Sequence, residues 1–477
     1  MLPELAKNKT SFDRIQLIGF IIQCCDLGDI FSTRILVKNL GFIVFKGVEE
    51  TVLTSFLLLL GKIISECGSS ITEEMVEFAK LFLEMCSEKF LQTQFFPYFA
   101  SFFERENKDV LALVISFVSK LMSKLSPKNI NFFINQCTRL YKTKMIILKL
   151  AILNAFSDIV DYSQNPQELF NQIIVPSTIA RDTRVKSNSL FVASKHINLV
   201  SDPVPFLNLA KDSSWKVRYA FLQNIGPFAT TFPQFIPCLL SFLKDNMGFI
   251  RATSFDKASE MFSEIPKDDV FLRLVESALK QQNTLVILSA LNLLPKLFEC
   301  GAADPNKFVR FIQMLKSKDD DMVMESCLRC LVPHVNMLLA KKDINAIVKW
   351  IGHQFKTENW RKIGTVIETI EKFLEFENLH QVVLQFADNI ADKLSDPCLH
   401  TRCASSSAIL SMAKTFGSQF VGDRVIPHLK SIIEGGAPLD VKKNVYYILS
   451  ELTKITDAEI KDAVQKEMDK VSQEIHN

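Results

Sequence analysis

Glycine and proline are scarce in this chain, at 15 and 17 among 477 residues. Both residues punctuate turns, so their shortage argues against a turn-rich sheet protein and for long, unbroken helices. An excess of one charge is also lacking. The 55 basic residues stand against 53 acidic ones, a balance of +2 that supplies no global field for a polyanion, so nucleic acid is not expected as a partner. There is no Gly-rich phosphate loop, no His-x-Glu or His-Glu-x-x-His set and no G-x-S-x-G turn. The seven histidines (His196, His334, His353, His380, His400, His428 and His476) each stand alone in their stretch. No catalytic residue, metal site or cofactor is therefore expected. The eleven cysteines are odd in number and irregularly spaced, which excludes a disulfide framework. The one Cys-x-x-Cys, Cys327-Leu-Arg-Cys330, sits in a helical apolar pattern with no second pair, and all eleven read as thiols in a reducing compartment. Long apolar runs are missing too. Residues 52–64 are too few to span a bilayer and include Lys62, and residues 15–25 lack a clean cleavage site after them, so a soluble, intracellular protein without a membrane partner is expected.

What is present is helix after helix. From Ser11 onward, apolar residues recur at helical spacing over segments of roughly 12 to 20 residues, separated by short polar breaks. Such breaks include Asp26-Leu-Gly-Asp29, Lys46-Gly-Val-Glu-Glu50, Gly68-Ser-Ser70, Arg105-Glu-Asn-Lys-Asp109 and Ser126-Pro-Lys-Asn129, several with a capping residue just ahead of an apolar run. No period-2 strand or hairpin turn is convincing. The fold class is all-α.

The helices repeat. Asp212-Ser-Ser-Trp-Lys-Val-Arg218 aligns with Asp245-Asn-Met-Gly-Phe-Ile-Arg251, with both ends 33 residues apart. The slot of Arg218 recurs upstream at Lys186, and downstream of Arg251 at Ile287, Met324, Ile363, Arg402 and Lys442. The downstream steps are 36, 37, 39, 39 and 40 residues, the length of two helices plus turns. Ahead of some slots lies a first helix with an early proline: Phe95-Phe-Pro-Tyr-Phe-Ala-Ser, Phe235-Ile-Pro-Cys-Leu-Leu-Ser and Val425-Ile-Pro-His-Leu-Lys-Ser. Each unit reads as helix, polar turn, helix.

The proline-bearing first helix, the turn Asp and the Val-Arg or Ile-Arg six residues on resemble HEAT repeats, which stack into an α-solenoid. Asp would cap the second helix, and Arg would reach a neighbouring unit's acidic turn. Three slots keep both residues (Asp212 with Arg218, Asp245 with Arg251, Asp396 with Arg402), while those at Ile287, Met324 and Ile363 do not. Over residues 202–452 the order of motifs resembles the scaffold (A) subunit of protein phosphatase 2A, and a HEAT-repeat regulator of a related phosphatase shares the pattern. The motifs are Ala210-Lys-Asp-Ser-Ser-Trp-Lys-Val-Arg-Tyr219, Asn359-Trp-Arg361, and Asp396 to Arg402 followed by Ala413-Lys-Thr-Phe-Gly417. That resemblance implies a non-catalytic scaffold holding a phosphatase catalytic subunit and a regulatory subunit. Asp212, Ser214, Trp215 and Lys216 would meet the regulatory subunit, and Trp360 and Arg361, with Leu399 in the next turn, the catalytic subunit. Two departures accompany it: Leu399 stands where the family often has an aromatic, and the chain ends about two repeats sooner.

Plainer readings stand beside these. Trp215 and Trp360 could instead plug the adjacent repeat. Arg218, Arg251 and Arg402, with Asp245, Asp396 and Lys442, are structural positions joining one unit to the next. The 39 phenylalanines are mostly core, and Lys341-Lys-Asp343 is a solvated loop. An importin-like transport adaptor, also built from HEAT units, is the alternative function, and an acidic inner face would favour it. The expectation is a single solenoid over residues 1–477 of about 12 or 13 units with second helices on the concave side. Its first 166 residues would be divergent repeats, residues 167–453 recognisable ones and 454–477 a polar cap, in a monomeric scaffold that joins a hetero-oligomer in the cytoplasm and nucleus.

Overall fold

The computed structural model describes residues 11–24, 27, 29–39, 49–105, 107–302, 320–331, 348 and 351–476. His334 and Lys341-Lys-Asp343 lie outside them. Among the described residues there are helices and turns and no strand. The chain divides into two compact units, Met1–Leu239 and Leu240–Asn477.

Three of the breaks expected from composition open α-helices. Asp29 accepts the N–H of Ser32, Asn107 those of Asp109 and Val110, and Ser126 that of Asn129 with Pro127 next in line. Each satisfies N–H groups that no helical carbonyl can reach, worth about 1 kcal/mol apiece. Gly68 ends the helix Glu50–Cys67 at φ +51°, a backbone angle that a side chain would resist.

Past Gly68 a 3-10 turn, Gly68–Ile71, leads directly into a further helix, Thr72–Met85. Glu50–Ala79 is long and apolar enough to cross a bilayer, yet 61% of its most apolar window is buried inside the structure, so packing accounts for that composition. Phe56, Leu59, Leu60, Ile63 and Ile64 are fully covered.

The second helices of successive pairs form the spine of each unit. In Met1–Leu239 they are α1 (Lys108–Ser119), α2 (Ile146–Ile159), α3 (Thr183–Lys195) and α4 (Trp215–Thr231), each packed on the next. In Leu240–Asn477 they are α5 (Gly248–Glu260), α6 (Thr284–Glu299), α7 (Asp321–Leu331), α8 (Trp360–Lys372), α9 (Leu399–Phe420) and α10 (Leu439–Ile455), again consecutive neighbours, with α11 (Ala458–His476) against α10. Lys186, Arg218, Arg251, Ile287, Met324, Ile363, Arg402 and Lys442 are each the fourth residue of α3 to α10. A common register thus links units whose slot residues differ chemically.

The first-helix prolines share a construction. Pro97, Pro237 and Pro427 each stand second in an α-segment, preceded by a π turn (Leu91–Phe95), a 3-10 turn (Pro233–Phe235) and a π turn (Val421–Val425). Proline has no N–H, and its ring collides with the carbonyl four residues back; a change of helical pitch just ahead removes that collision.

Phenylalanine fills the core between pairs. Phe95, Phe99, Phe102 and Phe117 are fully buried, with ring centroids 4.3 Å apart for Phe95–Phe99, 5.8 Å for Phe99–Phe102 and 5.5 Å for Phe99–Phe117. Burial of each contributes about 1.5–3 kcal/mol. Phe20, Phe31, Phe132 and Phe191 are exceptions, exposed on the surface. The nine cysteines whose surroundings are described are free thiols. Cys327 and Cys330 are buried, and desolvation pushes both up, Cys330 to about 12, so neither is a ready thiolate at neutral pH.

Candidate docking turns

The turn ahead of α4 shows how the Asp and Arg signature works. The N–H of Ser214 donates to Asp212 Oδ1 at 2.8 Å, closing the turn before the helix begins. Arg218, one turn inside, reaches back: its Nη1 donates to the carbonyls of Asp212 and Ser213 at 2.9 and 3.1 Å. The same bonds recur ahead of α5, where Met247 N–H donates to Asp245 and Arg251 to the carbonyls of Asp245 and Asn246. They recur again ahead of α9, where Cys398 N–H donates to Asp396 and Arg402 to the carbonyls of Asp396 and Pro397. The carboxylate thus acts ahead of the N-cap residue, at Ser214, Met247 or Cys398, none of which makes a side-chain cap bond.

The three middle slots, at Ile287, Met324 and Ile363, use a different device. Asn283 accepts from Val286 N–H ahead of α6, Asp320 from Met322 and Val323 ahead of α7, and Asn359 from Arg361 and Lys362 ahead of α8. A direct N-cap replaces the arginine stitch, so the middle repeats have complete turns built from another residue type.

Contacts also run from one unit to the next. Lys186 donates to Asp212 Oδ2 at 2.5 Å, Arg251 Nε to Gln281 Oε1 at 3.0 Å, Thr284 to Asp320 Oδ2 at 2.6 Å and Arg402 Nη2 to Asp440 Oδ2 at 2.6 Å. Lys442 continues to Glu474 Oε2 of α11 at 2.8 Å. The expected link from Arg to an acidic turn is thus made by Arg402, by an amide partner at Arg251, and by lysine or threonine elsewhere. Hydrogen bonding by Thr284 holds the Asp320 carboxyl below its ordinary value.

Each turn also presents an apolar residue. Trp215 is the first residue of α4, Trp360 of α8 and Leu399 of α9; the tryptophans are 41% exposed and Leu399 is 64% exposed. Lys216 Nζ lies 5.9 Å from the Trp215 ring centroid, and Arg361 Cζ lies 5.0 Å from that of Trp360, both within cation–π range. Trp360 also meets His400 edge-on at 5.5 Å. Gly364 makes room for this contact, because a Cβ there would lie 2.8 Å from His400 Nε2. Trp360 is therefore both partly packed on the next unit and partly open to a partner. Asp212, Ser214, Trp215 and Lys216 share one turn in Met1–Leu239, and Trp360, Arg361 and Leu399 occupy two adjacent turns in Leu240–Asn477.

Other exposed residues belong with them and were not singled out from sequence. Met247, Leu285, Met322 and Leu439 are exposed at the starts of α5, α6, α7 and α10. With Trp360 and Leu399 they place one large apolar side chain at the beginning of each of six successive second helices. Their spacing of 37 to 40 residues was available in the sequence. Their exposure was not, because an apolar residue at a helix start reads as core until its neighbours are known. Among the described residues, no group of three or more His, Cys, Asp or Glu side chains is placed to hold a metal.

Paired helices in common register, stacked second helix on second helix, define an all-α solenoid of HEAT-like repeats. Solved structures share this fold. The karyopherin Kap121p bound to the extreme C-terminus of the protein phosphatase Cdc14p superposes with a TM-score of 0.66 at 11% identity, over 98% of this chain and 52% of that one. Importin beta superposes with a TM-score of 0.57 at 11% identity, over 99% of this chain and 73% of that one. Kap95p bound to RanGDP gives 0.54 at 12% identity, over 96% and 69%. The chain spans about half the length of Kap121p. No family model and no curated protein matches the chain. These likenesses support the HEAT-repeat fold, and they lend no support to the narrower resemblance to a phosphatase 2A scaffold.

Proposed function

We propose that the chain is a non-catalytic protein-binding scaffold of the importin-like adaptor class, with its docking surface on the turns that open the second helices. The observation that carries this reading is the row of exposed apolar residues from Met247 to Leu439, one per unit on consecutive helices. Apolar side chains repeated on a rigid frame exclude water over a long, narrow contact and gain affinity by adding units. The structural neighbours include transport receptors bound to protein segments, which supports the adaptor reading and a role in both cytoplasm and nucleus. Helix α11 packs on α10, with Val464 and Val471 buried and with Lys470 and Lys430 paired to Glu467.

A second reading is the phosphatase scaffold, with Trp215 and Lys216 meeting a regulatory subunit and Trp360, Arg361 and Leu399 a catalytic one. The matched pair of exposed tryptophans, each with a cation near its ring, favours it. One experiment separates the two. Tagged wild-type chain and a Leu399→Asp, Leu439→Asp variant are used to recover partners, which are identified by mass spectrometry. Recovery of a Ran-type GTPase with cargo by wild type alone supports the adaptor; recovery of a phosphatase catalytic subunit supports the scaffold. Equal recovery by both proteins removes the apolar row from either account.

A further inference from the structure

The near-neutral total hides a strongly basic stretch. Residues 101–150 hold nine basic residues against three acidic ones, and no Asp or Glu stands between Asp109 and Asp158. The structure folds this stretch around a notch of about 670 Å³ between the turn ahead of α1 and the turn ahead of α2. Its apolar lining includes Phe103 and Leu111 from one helix pair and Phe132, Leu140, Met145 and Leu148 from the next. Phe132 and Met145 are exposed although they line a concavity, so an apolar surface is open there.

Cations rim the opening. Arg105 and Arg139 line it, and Lys142 and Lys144 stand exposed in the turn that supplies Met145. Arg139 is fixed across the cleft: its Nη2 donates to the Phe103 carbonyl at 3.2 Å and its Nε to Gln136 Oε1 at 2.9 Å. Arg105 lies over the Phe102 ring with Cζ 4.3 Å from the centroid. Both guanidiniums are thereby held in place, and less side-chain entropy is lost when a carboxylate binds them. Glu104 is the acidic residue of the lining; Asp109 close by is engaged by Ser69 Oγ at 3.3 Å.

We infer that this notch binds an acidic peptide segment of a partner protein, with one or two large apolar side chains inserted between Phe103, Phe132 and Met145 and flanking carboxylates on Arg105, Arg139, Lys142 and Lys144. The inference rests on the protein-binding reading and adds the chemistry of one partner. An apolar floor with a cationic rim suits a segment in which Leu or Phe alternates with Glu or Asp. A nucleic acid would need a longer row of cations and would leave the apolar floor uncovered.

The test is fluorescence anisotropy on the full chain with a fluorescein-labelled 12-residue peptide in which Leu and Phe alternate with Glu. The comparison probes replace Glu by Lys, replace Leu and Phe by Ser, or substitute a 12-nucleotide single-stranded RNA. The Glu peptide should bind tightest. Lys142→Glu with Lys144→Glu, on an exposed turn, should weaken it about tenfold by reversing the rim charge, with unchanged thermal unfolding. Phe132→Asp should weaken it similarly, and Lys466→Glu, a charge reversal at an exposed position of α11, should leave it unaltered. Equal binding of the Ser-substituted peptide or of RNA would overturn the inference, as would indifference to the lysine pair. Partner recovery through Leu399 and Leu439 is read separately, so a failed peptide with successful recovery sinks the notch alone.

Discussion

In the turn ahead of α9, an arginine reaches back from inside the helix to tie the loop; ahead of α8, its neighbour in the stack, an asparagine caps the helix from outside. Arg402 holds the carbonyls of Asp396 and Pro397 and extends to Asp440 of the next unit. Asn359 accepts the N–H groups of Arg361 and Lys362. Both turns present an exposed apolar residue first in the helix, Leu399 in one and Trp360 in the other. What differs is depth. The arginine is a charge inside the stack, with its side chain 4% exposed, whereas the asparagine works at the rim. Closing the turn and presenting an exposed apolar residue are thus separable tasks, since two different closures leave such a residue at the helix start.

Arg402→Met should break this comparison most severely. It strips two carbonyls of their donor and removes the link to Asp440. Because Asp440 is 62% exposed, solvent screens that ion pair, and most of the loss comes from the carbonyl bonds and the buried site. The expected destabilisation is about 3 kcal/mol by urea unfolding of the full chain, and a change below about 0.5 kcal/mol would show that the stitch is ornamental. Asn359→Ala should cost about 1 kcal/mol and Asn359→Asp only a few tenths, since aspartate caps as well. An equal loss in both would point to the amide nitrogen and away from capping. Gly364→Ala is smaller again in stability, under about 1 kcal/mol, because the atoms in its way, Nε2 and Cδ2 of His400, are the outer edge of a side chain and not backbone. Its clearer mark is optical: with Trp215 and Trp350 replaced by phenylalanine, Trp360 fluorescence should change as His400 is pushed off, and an unaltered spectrum would refute the packing role given to Gly364.

How much of this was legible beforehand depended on whether a signal was local. Helix content and repeat register were, because scarce glycine and proline and a slot recurring at 32 to 40 residues are properties of the string. The middle turns carry no Asp and Arg signature because Asn283, Asp320 and Asn359 stand two positions nearer the helix than Asp212, Asp245 and Asp396 do. The exposed row was partly legible: Trp360 stands out by rarity, but Leu285 and Met322 gain meaning only when the stack shows that their side chains are left uncovered. The basic notch was lost to averaging, since a total of +2 says nothing about how charge is distributed.

The smallest expected effect contrasts the two turn chemistries by pH. In the capped turn ahead of α7, Asp320 accepts Thr284 Oγ1 and the N–H groups of Met322 and Val323, and these bonds, that of Thr284 foremost, depress its pKa. A carboxyl depressed on folding contributes stability that is present in full above its unfolded value and is lost as pH falls through the folded one. Acid should therefore erode the Thr284–Asp320 link below the ordinary carboxylate range. The bonds of Arg402 to the Asp396 and Pro397 carbonyls contain no group that titrates there. Asp320→Asn keeps an acceptor for the cap and removes the titration, so unfolding curves of this variant should converge with wild type as pH is lowered towards 3 and separate from it near neutrality. Parallel curves across that range would mean that Asp320 is stabilised equally in the unfolded chain, and that the cap at α7 depends on geometry alone.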